Sequence, residues 1–214
     1  WNNISVTGTS GAGIGLESSA SHNSMSANNL TTLGGSSASG IELSSAINNT
    51  ISFNKIRTIG SSSPGIDAVT SSSANLITSN DIVTSGSSAP GISIATSSQA
   101  NSVLGNNITT SSDTRASGMQ VSSALNTTVS YNYIIASGGG TSYGLYLTAG
   151  ANASNISWNN VTATSSYGIM LESDSKDNLL MNNNISDSSL FEIYDNTSVD
   201  FNNSAFAVGY LCCL

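Results

Sequence analysis

The stretch NTISFNKIRTIGSSSPGIDAVTSSSA (residues 49–74) is followed directly by NLITSNDIVTSGSSAPGISIATSSQA (residues 75–100). The two 26-residue copies keep their asparagine and glycine positions and most of their isoleucine and serine positions, while their charged residues differ. Constant stacking residues with variable charges indicate a repeated structural unit rather than a repeated active site.

The most regular position of the repeat is an asparagine, which we call the anchor asparagine. An aliphatic residue follows it by two positions, and each unit also carries a glycine before alternating aliphatics, as in Gly91-Ile92-Ser93-Ile94. Asparagine amides stacked at one turn are expected to hydrogen-bond in a ladder along the repeat axis. The anchor asparagines are Asn2, Asn28, Asn54, Asn80, Asn106, Asn132, Asn159 and Asn183.

Short alternating stretches rich in isoleucine and bounded by glycine, serine and asparagine predict β-strands. A fixed period of 26 residues without helical segments predicts an all-β fold, a parallel β-helix or β-solenoid of about eight coils. Neighbouring coils would lie about 4.8 Å apart and bury their aliphatic residues in columns. We expect the solenoid over residues 1–186 and a closing segment over 187–214. A closed three-sided helix and two-layer stacked β-arches both fit the pattern.

The order Gly-Ile-x-Leu, Ser, Asn-x-Ile, Asn-x-Ile, as in residues 40–56, resembles the right-handed parallel β-helix repeat. That repeat is shared by pectate-lyase-like enzymes, periplasmic copper-site maturation proteins and many archaeal surface proteins. The resemblance covers residues 1–186 and implies the fold. It is silent on function, because the matching residues are those that stack.

The composition excludes two classes of partner. Only 7% of the residues are charged, with 4 Lys and Arg against 12 Asp and Glu, so the net charge is −8. Nucleic acids bind to surfaces rich in lysine and arginine, which this chain does not have. We also expect no membrane span, because no apolar run approaches the roughly 20 residues that a transmembrane helix needs.

Glu42 and Asp67 are the candidates for catalysis. They occupy the same outward position in neighbouring coils, where a carboxylate pair can serve acid–base hydrolysis or hold Ca²⁺. The equivalent position in other coils carries no further acid, so we predict that the protein is not an enzyme. We predict no metal site, because His22 is the only histidine, and a loosely held Ca²⁺ is the alternative.

Glycosylation sequons are frequent, and five of them share one outward position directly after the anchor asparagine. Glycans there would line one face of the rod. The alternative is that the position merely favours asparagine. These five candidates are Asn3, Asn29, Asn107, Asn160 and Asn184.

The ends of the chain suggest assembly. A solenoid has open β-edges that can pair with other copies, and few charges oppose such pairing here. Cys212 and Cys213 are the only cysteines, and adjacent cysteines rarely bridge each other, so intermolecular disulfides are expected. Buried thiols are the alternative.

These features together predict an extracellular structural protein that polymerises with itself into a sheath, surface layer or filament of a microbial cell envelope. In character the chain is similar to archaeal surface-layer or methanogen sheath proteins. The alternative is a carbohydrate-binding or carbohydrate-cleaving β-helix domain of a larger surface protein. A groove with clustered acids and aromatic residues would support that alternative.

Overall fold

A computed structural model of the chain describes residues 1–112, 114–197, 204–206 and 211–213, the last two as strand backbone only. Within these residues the chain forms 25 β-strands in three parallel sheets and no helix. Each coil contributes one strand to each sheet, and successive coils pair in register. The predicted all-β solenoid with a 26-residue repeat is confirmed, with about seven complete turns. The three sheets decide in favour of the three-sided helix.

The strands are short, as the alternating stretches predict. Sheet 1 contains β1 (Asn3–Val6), β4 (Asn29–Thr32), β7 (Lys55–Thr58), β10 (Asp81–Thr84), β13 (Asn107–Ser112), β16 (Tyr133–Gly138), β19 (Asn160–Ala163) and β22 (Asn184–Ser186). Sheet 2 contains β2 (Ile14–Leu16), β5 (Ile41–Ser44), β8 (Ile66–Val69), β11 (Ile92–Ala95), β14 (Met119–Ser122), β17 (Leu145–Thr148), β20 (Ile169–Glu172), β23 (Ile193–Asn196) and β25 (Leu211–Cys213). Sheet 3 contains β3 (Ser24–Ser26), β6 (Thr50–Ser52), β9 (Leu76–Thr78), β12 (Ser102–Leu104), β15 (Thr128–Ser130), β18 (Asn155–Ser157), β21 (Leu179–Met181) and β24 (Ser204–Phe206).

The core consists of columns of aliphatic side chains, one residue per coil. Ile56, Ile82 and Ile108, for example, are register partners in sheet 1 and are buried. Burying one such side chain contributes about 1.5–3 kcal/mol, and no single coil can bury its own set without neighbours above and below. The stack is therefore the unit that folds.

The anchor asparagines form a continuous ladder at the corner between sheets 3 and 1. The amide nitrogen of each donates to the amide oxygen of the next, from Asn2 to Asn183, at 2.8–3.0 Å. Most of the same nitrogens also donate to a backbone carbonyl of the preceding coil, as Asn54 does to Met25. A shorter second ladder joins Asn23, Asn49, Asn75 and Asn101. The ladders satisfy buried polar groups that would otherwise oppose the tight corners.

The residue before each anchor asparagine, which we call the corner slot, turns the chain from sheet 3 into sheet 1. From the second coil onward its φ is positive, between 54° and 61°, whatever the side chain. This left-handed conformation suits glycine and asparagine and is costly for bulky residues. The corner slots are Trp1, Ala27, Phe53, Ser79, Gly105, Tyr131, Trp158 and Asn182.

A glycine precedes most strands of sheet 2 because the neighbouring coil leaves no room for a side chain. A Cβ at Gly91 would collide with Cγ2 of Ile108 and would lie 2.7 Å from the carbonyl oxygen of Gly118. Gly91→Ala is therefore expected to lower the free energy of unfolding by about 2 kcal/mol, the usual cost of overpacking. Urea unfolding measures it. Gly15→Ala, whose nearest neighbour would be Oε1 of Glu17 at 3.7 Å, should be close to neutral.

Part of the predicted closing segment continues the solenoid. Within residues 187–214, β23 pairs with β20 and β25 pairs with β23, both in sheet 2. The domain boundary at residue 186 stays a prediction. The side chains of Cys212 and Cys213 lie outside the described residues, so the predicted disulfides stay predictions as well.

Candidate functional site

The outer face of sheet 2 carries the chemically varied side chains of the molecule. In each Gly-Ile-x-Leu unit the two aliphatics point inward and the residue between them points outward, so these middle residues form one column in register. The column changes from acids at one end to aromatics at the other. Its members are Gly15, Glu42, Asp67, Ser93, Gln120, Tyr146, Met170 and Tyr194.

Glu42 and Asp67 lie side by side in this column, as the sequence predicts. Asp67 is largely buried, and its Oδ1 has no hydrogen-bond partner. Burial raises the pKa of Asp67 from 3.8 to about 6; the hydroxyl of Ser93 lowers this pKa and the charge of Glu42 raises it further. A carboxyl group with a pKa near 6 can both donate and accept a proton close to neutral pH.

A cleft of about 360 Å³ opens farther along the same face, beside the middle coils. Arg115 supplies its positive charge, and Gln120 and Tyr146 of the column form part of its wall. Guanidinium and amide groups bind oxygen-rich ligands such as carboxylates and hydroxyls. Lining residues are Ser88, Arg115, Ser117, Gln120, Thr141, Tyr143 and Tyr146.

Next to the cleft, five aromatic side chains form a contiguous surface that we call the aromatic shelf: Tyr143, Tyr146, Tyr167, Phe191 and Tyr194. Tyr167 is central, with its ring centroid 4.6 Å from that of Tyr194, 5.8 Å from that of Tyr143 and 6.1 Å from that of Phe191. Tyr143 also meets Tyr146 at 4.7 Å, which joins the shelf to the cleft. All five rings are partly exposed. Exposed aromatic faces beside polar groups are typical of ligand sites.

The hydroxyl group of Tyr146 donates a hydrogen bond of 2.5 Å to Oε2 of Glu172 in the next coil. Burial and this bond raise the pKa of Tyr146 to about 12. Burial, followed by the charge of Glu172, also raises the pKa of Tyr143. Both phenols therefore stay neutral and act as hydrogen-bond donors at physiological pH.

Sequence reasoning found the acid pair and missed the shelf. Three of its residues occupy the position just before the sheet 2 glycine or its equivalent, where earlier coils carry alanine, serine or proline. The repeated tetrapeptides Thr141-Ser-Tyr-Gly144 and Ser165-Ser-Tyr-Gly168 were the available signal. Tyrosines at equivalent positions of consecutive coils must be neighbours in a solenoid.

The sequon asparagines lie on the outer face of sheet 1, where their polar amides contrast with the aromatic side chains of the shelf. Asn29, Asn107 and Asn184 donate their amide hydrogens to the adjacent coil, to Asn3, Asp81 and Asn160 respectively. Glycosylation would use one of the two amide hydrogens of each of these nitrogens and leave the other as a donor. Their glycosylation stays a prediction.

The family model of NosD, described as a periplasmic copper-binding protein, matches residues 83–210, which is more than half of the chain. The chain belongs to the NosD family. The resemblance predicted from the repeat is thereby confirmed, and the location of this NosD-family chain outside the cytoplasm is confirmed as well, since the family is described as periplasmic. In the described part, no helix is long and apolar enough to cross a membrane.

Two solved structures are similar to this NosD-family chain in fold. A mutant of the periplasmic alginate epimerase AlgG is 18% identical with a TM-score of 0.65, over 85% of this chain and 44% of that chain. The A-module of the mannuronan C-5 epimerase AlgE6 of Azotobacter vinelandii is 13% identical with a TM-score of 0.52, over 88% of this chain and 64% of that chain. The NosD-family chain thus spans less than two thirds of either structure. No curated protein matches the sequence.

The prediction that the protein is not an enzyme is wrong. It rested on the absence of further acids at the equivalent positions of the other coils, whereas AlgG and AlgE6, which share the stacked-coil fold, are epimerases. The predicted assembly into a sheath or surface layer gains no support from these comparisons and stays a prediction.

The described side chains do not fit the copper that the family description names. Among them, no three His, Cys, Asp or Glu residues come together as a metal site would require. His22 lies in an exposed turn outside the matched range. Of the four methionines, Met25, Met119 and Met170 are buried and Met181 is partly exposed. The described coils also contain no cluster of three acidic side chains of the kind that binds Ca²⁺.

Proposed function

We propose that this protein binds a polysaccharide outside the cytoplasm along the outer face of sheet 2 and carries out proton-transfer chemistry on it. The observation that carries the proposal is the aromatic shelf adjoining a cleft lined by Arg115 and Gln120. Aromatic faces stack on the apolar faces of sugar rings, while guanidinium and amide groups bind sugar oxygens. Arg115 favours a sugar that bears a carboxylate.

The acid pair gives this face its proposed chemistry. Asp67 lies two coils before Gln120 in the same column, roughly 10 Å away at the usual strand spacing. A polymer that follows the solenoid axis from the shelf through the cleft would therefore pass over Asp67. With a pKa near 6, Asp67 is suited to act as general acid or base. The similarity to alginate epimerases in fold supports an acidic polysaccharide as ligand.

Tyr167→Ala is expected to weaken polysaccharide binding at least about tenfold, because Tyr167 contacts three other rings of the shelf. Isothermal titration with alginate and with an uncharged glucan measures the affinity. Phe53→Ala is the matched control, since it removes an exposed aromatic ring far from sheet 2. Equal affinities of wild type and Tyr167→Ala, or no binding of either polymer, would contradict the proposal.

A further inference from the structure

A second aromatic surface lies at the corner between sheets 3 and 1, away from the shelf. Tyr131 and Trp158 occupy the corner slots of neighbouring coils, and their ring planes differ by only 6° with centroids 6.3 Å apart. That separation is at the long end of the roughly 4.5–7 Å range of aromatic pairs, and the side chains are 67% and 51% exposed. The two rings form a nearly parallel tandem pair open to solvent.

The serine before each ring shows how the rings lie. Ser130 and Ser157 are buried although they point outward from sheet 3, whereas Ser26, which precedes Ala27, is exposed. Each aromatic ring therefore covers its preceding serine with one side and presents the other side to solvent. Two flat faces follow one another along the solenoid axis.

The fold does not require these rings. Tyr131 and Trp158 both adopt a φ of 59°, a conformation that bulky residues rarely take, while Gly105 and Asn182 fill the flanking corner slots with residues suited to it. A strained and solvent-exposed aromatic pair, at a slot that glycine or asparagine can fill, is costly to the folded state, so its presence points to a ligand.

The surroundings favour an uncharged ligand rich in hydroxyl groups. From β3 to β21 the outward residues of sheet 3 are serine, threonine, asparagine, leucine or methionine, without a single charge. Thr128 and Asn155 pair across sheet 3 on one side of the rings, and Tyr133 and Asn160 pair across sheet 1 on the other. These side chains offer hydrogen-bond donors and acceptors at both rims.

We propose that Tyr131 and Trp158 form a second, independent saccharide-binding site, which holds two consecutive sugars of an uncharged oligosaccharide along the solenoid axis. The site shares its ligand class with the proposed function but does not depend on the sheet 2 face. It would keep the protein attached to a neutral glycan while the sheet 2 face acts on its own polymer.

The chain offers a direct optical test because it has only two tryptophans, Trp1 and Trp158. In Trp1→Phe, the emission of Trp158 reports on the site alone. Titration with cello-, manno- or chito-oligosaccharides should give a saturable change in that emission. Adding Tyr131→Ala should weaken the binding about fivefold to tenfold, which is the contribution expected of one aromatic ring. Alanine is tolerated at this slot, as Ala27 shows.

Two further variants separate the sites. Phe53→Ala removes an aromatic ring from the same slot at nearly the same φ, but its neighbours are Ala27 and Ser79, so it should leave the titration unchanged. Tyr167→Ala should also leave it unchanged, and if it abolishes the Trp158 response the independent site is refuted. If none of the oligosaccharides changes the emission of Trp158, the proposal is overturned. It is also overturned if the emission changes with protein concentration alone, which would indicate self-association.

Discussion

Asn106→Ala is expected to lower the free energy of unfolding by about 3–4 kcal/mol. The side-chain oxygen of Asn106 accepts from the backbone nitrogen of Asn80 at 3.0 Å and from its amide nitrogen at 2.9 Å. Its amide nitrogen donates to Asn132 Oδ1 at 3.0 Å and to the carbonyl oxygen of Ile77 at 2.9 Å. Alanine leaves the buried N–H of Asn80 and the carbonyl of Ile77 without these partners, at about 1–3 kcal/mol for each unsatisfied group.

The adjacent residue provides the matched control. Asn107 is exposed and makes one side-chain hydrogen bond, to Asp81 at 2.9 Å, so Asn107→Ala should change stability by less than about 0.5 kcal/mol. Urea unfolding followed by far-ultraviolet circular dichroism measures both variants. An unchanged m-value would show that the whole stack still unfolds together. If both variants lose the same free energy of unfolding, a ladder asparagine contributes no more to stability than a surface asparagine does.

The fold follows from the sequence because stacking imposes the same demand on every coil. Each coil must place an aliphatic residue, such as Ile56 or Ile82, in the same column of the core. A coil must also keep a glycine where the neighbouring coil contacts its backbone, as at Gly91. The number of sheets was beyond prediction from the sequence, because strands of three or four residues suit both two-sided and three-sided coils. That choice depends on corner geometry, which the positive φ values of the corner slots set only in three dimensions.

The site was only partly predictable, for a related reason. The pairing of Glu42 with Asp67 follows directly from register. The perturbed pKa of Asp67 does not, since it depends on how the surrounding coils cover one carboxyl oxygen. The aromatic shelf depends on loops whose lengths vary from coil to coil, so the contact of Phe191 with Tyr167 was hidden from a strict 26-residue alignment. The buried positions that keep their residue type report the scaffold, and the outward positions that vary from coil to coil carry the chemistry.

Asp67→Asn is expected to stabilise the protein at neutral pH, by up to about 3 kcal/mol. Folding raises the pKa of this carboxyl group from 3.8 to about 6, chiefly through burial. One pKa unit corresponds to about 1.4 kcal/mol. Keeping the ionised group buried at pH 7.5 therefore costs the folded state up to about 3 kcal/mol for the whole shift. An amide of the same shape carries no charge to desolvate and can donate to the neighbouring carboxylate of Glu42.

The pH dependence has a defined sign. Well below pH 3.8 the carboxyl group is protonated in both the folded and the unfolded chain, so the wild type suffers no penalty and should match Asp67→Asn. As the pH rises from about 4 through 6, the unfolded chain loses its proton first, and the wild type becomes less stable relative to the variant. Above about pH 7 the difference should level off.

Urea unfolding of both proteins at several pH values between 3.5 and 8 measures this difference, with Asp81→Asn as a control for replacing an aspartate by its amide. In a Glu42→Gln background, the stability difference between Asp67 and Asp67→Asn should change over a narrower pH range. The reason is that the charge of Glu42 contributes to the raised pKa of Asp67. If Asp67→Asn is less stable than the wild type at pH 7.5, the carboxylate has a favourable partner in the folded state and is unsuited to proton transfer. If it is more stable, the protein keeps an unfavourable buried acid, and polysaccharide turnover should disappear in the variant while binding persists.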